Sequence, residues 1–299
     1  MSPFLRHFAL VEGQSRHCTL LPQNCTTLPS RPPIFKGCNI VGFQNNAITD
    51  KSGYALLGFQ FEGTGKTFTL QDIVPADKGM TGPGYGTTTP EGKDWTEIAP
   101  QIYIRDEEGA YSRIRYYICD AYESEPGSGN YDLPGWVDGL ANPDEDEVDL
   151  GKGYWILDTY NASSVWTVAG QVHGKTSFQD TYATDYTLAA NPFPIAFNPN
   201  DLTWSGLTGP AYGTTTPEGK DWTEIAPQIF VRDAEGAYSV IRYYISDAFE
   251  SVPGSGNYDI PGWVDGLANP VEEDIVPAGA GFWFLNNYSG TDTDVTYTR

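Results

Sequence analysis

Carboxylates, amides and indoles crowd two stretches of this chain in the same order. Asp120, Glu123, Asn130 and Asp132 surround a Gly-rich loop, Glu125-Pro126-Gly127-Ser128-Gly129, and Asp247, Glu250, Asn257 and Asp259 surround its twin. Oxygen-rich loops of this kind can supply the six to eight or so ligands that Ca²⁺ takes, which makes Ca²⁺ the one cofactor the sequence suggests. The spacing matches no EF-hand, and Asx turns account for the same residues equally well. Trp136 and Asp138 share a Pro-Gly-Trp-Val-Asp-Gly stretch that returns with Trp263 and Asp265. Trp95 and Trp222 sit in identical Lys-Asp-Trp-Thr-Glu stretches. An indole beside carboxylates suits a sugar, because the ring packs on the apolar face of a pyranose while the acids accept from hydroxyls. The competing reading makes each Trp a plug in its own core.

Catalytic chemistry finds less support. Gly63-Thr64-Gly65-Lys66-Thr67 resembles the end of a phosphate-binding loop, but Gln60 stands where a Gly is needed. The three histidines, His7, His17 and His173, lie outside the doubled stretches. A Ser-His-Asp or Cys-His centre and a zinc site therefore lack a member. Acid pairs for a glycosidase abound, among them Asp94, Glu97, Asp106 and Asp120, yet every one has a twin and nothing singles out a pair. The sequence reads as non-enzymatic, with a polysaccharide-active enzyme as the weakest alternative.

The elements that position these residues are written twice. Gly82–Pro143 returns almost unchanged as Gly209–Pro270, and the shift from Tyr85 to Tyr212 is 212 − 85 = 127 residues, about one domain length. Residues 1–38 hold Pro22, Pro29, Pro32 and Pro33 with no apolar period and read as an irregular leader. The first repeat is expected over 39–172, a linker over 173–179 and the second repeat over 180–299. Period-two alternation predicts strands at Tyr54–Phe61, Lys66–Leu70, Gly153–Leu157, Ser164–Val168, Gly281–Leu285 and Asp294–Tyr297. Gln101–Arg105 and Ala110–Cys119 predict a hairpin around Asp106–Gly109. Within it, Ser112, Ile114, Tyr116 and Ile118 are expected inward, with Tyr111, Arg113 and Arg115 outward. The one helix candidate is a turn or two near Asp94–Ile98. The expected class is all-β: two tandem sandwich-like domains, Greek-key in topology.

The net charge of −22 argues against a nucleic-acid partner, since phosphate would be repelled. No run of about 20 apolar residues exists to cross a membrane as a helix. Cys119 is replaced by Ser246 in the second repeat and reads as a free thiol, while the pairing of Cys18, Cys25 and Cys38 stays open. The start, Met1–Glu12, is broken by Arg6 and His7 and makes a poor signal peptide; the expectation is that the natural start lies elsewhere.

Gly-Tyr-Trp or Gly-Phe-Trp near each repeat's end, then Val168-Ala169-Gly170-Gln171-Val172, then Ala190-Asn191-Pro192-Phe193-Pro194, resembles tandem-repeat β proteins of anaerobic bacteria, secreted or surface-exposed. The resemblance covers about residues 39–299 and implies an extracellular sandwich array without a defined activity. The expected function is a surface or structural protein whose partner is itself, through exposed edge strands, or a surface it adheres to; the alternative is a carbohydrate-binding protein with surface glycans as partners.

Overall fold

A computed structural model describes residues 41–48, 54–62, 69–73, 81–105, 113–144, 146–161, 164–172, 177–232, 237–238 and 240–298. Short β-branched and aromatic runs separated by Gly, Pro and Asn turns produce sixteen strands among the described residues, eight in each repeat. The first repeat holds β1 (Val41–Ile48), β2 (Tyr54–Gly58), β3 (Phe61–Glu62), a one-turn helix α1 (Trp95–Ile98), β4 (Gln101–Ile104), β5 (Arg113–Glu123), β6 (Tyr131–Val137), β7 (Gly153–Leu157) and β8 (Ser164–Val172). The second holds β9 (Ser177–Tyr182), β10 (Asp185–Ala190), β11 (Thr203–Ser205), α2 (Trp222–Ile225), β12 (Gln228–Val231), β13 (Val240–Glu250), β14 (Tyr258–Val264), β15 (Gly281–Asn286) and β16 (Thr293–Thr298).

Each strand of the first repeat has its twin eight strands later. The five-stranded sheets run β2-β7-β4-β5-β6 and β10-β15-β12-β13-β14; the three-stranded sheets run β1-β8-β3 and β9-β16-β11. All strand pairings among the described residues are antiparallel. Three consecutive strands with a fourth returning beside the first (β7-β4-β5-β6) make a Greek key. The all-β class expected from sequence is therefore observed.

In the second repeat the two sheets face each other through Tyr182, Phe197, Ile229, Trp263, Phe282, Phe284, Val295 and Tyr297. The matching core of the first repeat gathers Phe59, Leu70, Ile102, Tyr117, Trp136, Tyr154 and Ile156. The five-stranded sheet is also covered on its outer face. There the segment carrying α1 lays Trp95 and Ala99 over Ile118, Ala121 and Val137. This double cover corrects the expected facing of β5. Tyr117 and Ile118 point to opposite faces and both are buried, and Arg115 is half-buried rather than free. Alternation fails to separate inside from outside when both sides are packed.

Local expectations fare unevenly. Asp94 caps α1 through a capping box with Glu97, as the Asp-Trp-Thr-Glu spacing requires, and Asp221 does the same with Glu224. The hairpin pairs Gln101 with Tyr116 and Ile104 with Arg113; its loop lies outside the described residues. Leu70 opens a 3-10 turn, Leu70–Ile73, instead of ending a strand; residues 66–68 lie outside the described set. β9 begins at Ser177, inside the segment expected as linker, and pairs with β16 of its own repeat.

The repeats join through contacts that exchange when the repeats exchange, within one unit spanning Val41–Arg299. Leu57 bridges Ala280, and Ala189 bridges Lys152. The Gly58 N–H donates to Gly279 O at 3.1 Å, and the Ala190 N–H donates to Gly151 O at 2.7 Å. The Arg105 guanidinium lies 5.9 Å from the Trp283 ring, and Arg232 lies 5.2 Å from the Trp155 ring. Reciprocity of this kind defines an isologous pairing about a local two-fold axis, here made within one chain.

Candidate functional site

Trp136 and Trp263 do not reach solvent. Each is 0% exposed, packed edge-on against Tyr117 or Tyr244 at 5.4 Å in the sandwich core. A ring with no open face cannot stack on a sugar, so the assignment of these two indoles to a ligand is corrected to a core role. Trp95 and Trp222 are buried as well, under Tyr85 and Tyr212. The exposed aromatic at this place is the tyrosine: Tyr85 is 59% and Tyr212 58% exposed.

A small platform follows on the outer face of each five-stranded sheet. Tyr85, Trp95 and Tyr116 stand in a row of edge-to-face contacts, 5.5 Å and 5.4 Å between centroids; Tyr212, Trp222 and Tyr243 repeat it at 5.4 Å and 5.4 Å. The Tyr85 N–H donates to Asp120 Oδ1 at 2.8 Å, which fixes the turn beneath the ring; Tyr212 uses Asp247 likewise. Burial pushes the Tyr116 phenol up, and the nearby Asp94 carboxylate adds to it. Beside the row lies the turn Asp138–Asn142. Asp138 Oδ1 accepts from the N–H groups of Leu140 (2.8 Å) and Asn142 (2.9 Å), and Oδ2 accepts from the Asn142 amide (2.9 Å). Burial works to raise the Asp138 carboxyl, but those donors outweigh it and hold it below its ordinary value. Ala141 adopts φ 62° and its twin Ala268 φ 63°, a left-handed backbone where glycine would be relaxed. The result lifts Leu140 and Leu267 clear of the surface, 78% and 79% exposed.

The residues proposed for Ca²⁺ serve separate loops. Glu123 accepts from the N–H groups of Gly127 and Gly129, and Asp132 accepts from Ser124 N–H (3.0 Å), Ser124 Oγ–H (2.9 Å) and the Asn130 amide (3.1 Å). Glu250, Asn257 and Asp259 repeat the pattern in the second loop. Asp120 and Asp247 sit under the tyrosine turns instead. Among the described residues no three His, Cys, Asp or Glu side chains gather as a metal group. The loop-stitching alternative describes what these side chains do.

Two features escaped the sequence. Gln71 of the 3-10 turn donates to Trp136 O (2.8 Å) and Asp144 O (2.6 Å), and Asn200 donates to Trp263 O (3.0 Å) and Val271 O (3.1 Å). These amides finish the outer edges of β6 and β14 as a neighbouring strand would. Pro134 and Pro261 remove an N–H from the same strands. The edges of the five-stranded sheets far from the two-fold are therefore blunted, against the expectation that they take up another chain's strand. Gln71 and Asn200 sit in unlike surroundings, so no sequence match flagged them. The second feature is an arginine pair. Arg115 grips Asp144 through Nε and Asp146 through Nη2 (2.7 Å), whereas its twin Arg242 has Val271 and Glu273 at those positions and forms no ion pair among the described residues.

No helix among the described residues is long and apolar enough to cross a membrane. The chain matches no protein-family model, and no curated protein or solved structure is significantly similar to it.

Proposed function

We propose that this chain is a non-enzymatic surface or structural protein that adheres or self-associates through two identical faces held about a local two-fold axis. One observation carries the reading. The stretches that carry the exposed turns, Tyr85–Trp95, Pro126–Asp132 and Pro134–Pro143, are repeated residue for residue, while the strands at the join have diverged. Loops drift faster than cores unless something selects their surface. Here the surface selected includes a solvent-facing tyrosine and a leucine raised on a left-handed turn. With β6 and β14 blunted, association would run through these side chains rather than through strand addition. Two self-complementary faces per molecule give an unbranched chain. A surface polymer of this kind belongs outside the cell, consistent with the acidic, charge-repelling exterior.

Light scattering and micrographs of the purified protein at high concentration test the idea. Wild type is expected to form linear oligomers. Leu267→Asp, with one face spoiled, is expected to stop at dimers, and Leu140→Asp/Leu267→Asp at monomers. A wild type that stays monomeric and adheres to no surface would sink the reading.

A second reading uses the same platform for sugars. The exposed Tyr85 and Tyr212 rings, braced by buried indoles and flanked by carboxylates, have the form of a pyranose stacking site. A glycan array positive for wild type and negative for Tyr85→Ala/Tyr212→Ala supports it; unchanged binding removes it.

A further inference from the structure

The two arginines at twin positions differ in what they hold. In the first repeat Arg115 is closed: its Nε–H meets Asp144 and its Nη2–H meets Asp146. In the second repeat Val271 stands where Asp144 stood, and the register is unchanged, since Val271 N–H donates to Trp263 O as Asp144 N–H does to Trp136 O, both at 3.0 Å. The Arg242 Nε is buried and has no hydrogen-bond partner; Nη1 donates to Ile241 O at 3.0 Å. A buried guanidinium N–H left unpaired is costly. Next to it opens a groove of about 460 Å³, lined by Arg242, Asp265, Asn269, Val271, Glu272 and Glu273.

We propose that this groove is a binding site for a ligand carboxylate, which takes up the edge of the Arg242 guanidinium that lines the groove, as Asp146 takes up Arg115. A carboxylate matches the guanidinium fork with two parallel hydrogen bonds. The acids around the groove do not forbid it. Asp265 spends both oxygens on its own turn, through Leu267, Asn269 and the Asn269 amide. Glu272 and Glu273 are exposed and can turn to water. The first repeat already packs two carboxylates on its arginine with Asp138 nearby. The groove has room beyond the carboxylate, and Asn269 lies on its wall. The ligand is therefore a small organic acid or a sugar acid, and the replacement of Asp144 by Val271 in the second repeat alone separates this proposal from the paired faces.

The test follows the Arg242 Nε–H resonance of the folded full chain during titration with acetate, galacturonate and galactose. Acetate and galacturonate are expected to shift it saturably, and galactose is not. Tighter binding of galacturonate assigns the site to sugar acids; equal binding assigns it to small carboxylates in general. Val271→Asp rebuilds the first repeat's pair and is expected to weaken binding by about tenfold or more, measured below its melting temperature because the change places a carboxylate at a core position. Arg242→Gln is expected to abolish it. No shift with either acid in wild type overturns the proposal, as does undiminished binding by Val271→Asp.

Discussion

The seam between the repeats and the loops farthest from it obey opposite rules. At the loops, two copies of one sequence can stay identical because they never meet. At the seam, twins meet each other. Gly58 and Ala190 occupy equivalent ends of β2 and β10 and face across the axis; a Cβ on Gly58 would lie 2.0 Å from the Ala190 Cβ. Two alanines cannot occupy that spot without moving the backbone, so the alanine on one side requires a glycine on the other. The seam thus admits one methyl and not two, while the outer faces keep symmetry without being forced to. That contrast is why identical loops point to a shared task and not to folding alone.

The largest expected effect separates core from surface. Trp136→Ala and Trp263→Ala each empty a fully buried indole site, at a cost of about 3–5 kcal/mol. Urea unfolding measures it. Below their lowered melting temperatures both variants should still associate or bind as wild type does, because neither ring is presented to a partner. A stable variant that loses association would return the indoles to the surface role the sequence suggested.

The seam can be broken and mended. Gly58→Ala drives a methyl into Ala190 and should cost about 1–3 kcal/mol, with unfolding splitting into two transitions as the repeats uncouple. Gly58→Ala/Ala190→Gly merely transfers the missing methyl to the other side of the axis, so most of the loss should return. A double-mutant cycle reads the coupling directly. Additive losses would mean that the two residues do not face each other in solution.

These effects bear on what could be read beforehand. The repeat, the all-β class, the hairpin and the capped turn at Asp94 were legible because each rests on local chemistry: alternation, turn residues, a side chain three positions from its backbone partner. The site was legible only as a neighbourhood. Trp136 and Trp95 have the composition of a binding surface, yet the sheet is covered on both faces and buries them. Tyr85, beside them in the same stretch, is what remains outside. Gln71 and Asn200 act across more than sixty residues, and only the fold brings them to β6 and β14. The open Arg242 was visible in principle as Asp144 replaced by Val271, but its meaning needed the register that places both beside the arginine.

The smallest effect asks whether the outer turns are equal in solution as well as in sequence. The Asp94 carboxyl is held below its ordinary value chiefly by the Thr96 hydroxyl, helped by the N–H groups of Thr96 and Glu97; Asp221 is held down in the same way through Thr223 and Glu224. A carboxyl lowered in the folded state stabilises it above the unfolded value, near 3.9, and that contribution fades as pH falls through the folded value. Asp144 and Asp180 act in the opposite sense, because burial raises them and protonation relieves their desolvation. Melting temperature against pH should therefore show an acid limb below about pH 4, made shallower by these two. Asp94→Asn and Asp221→Asn keep a capping oxygen but remove the charge, so each should flatten that limb by a similar small amount. The two turns share every bond that sets the shift, so unequal flattening would show that the copies, alike in fold, experience different surroundings, and the equivalence on which paired faces depend would fail.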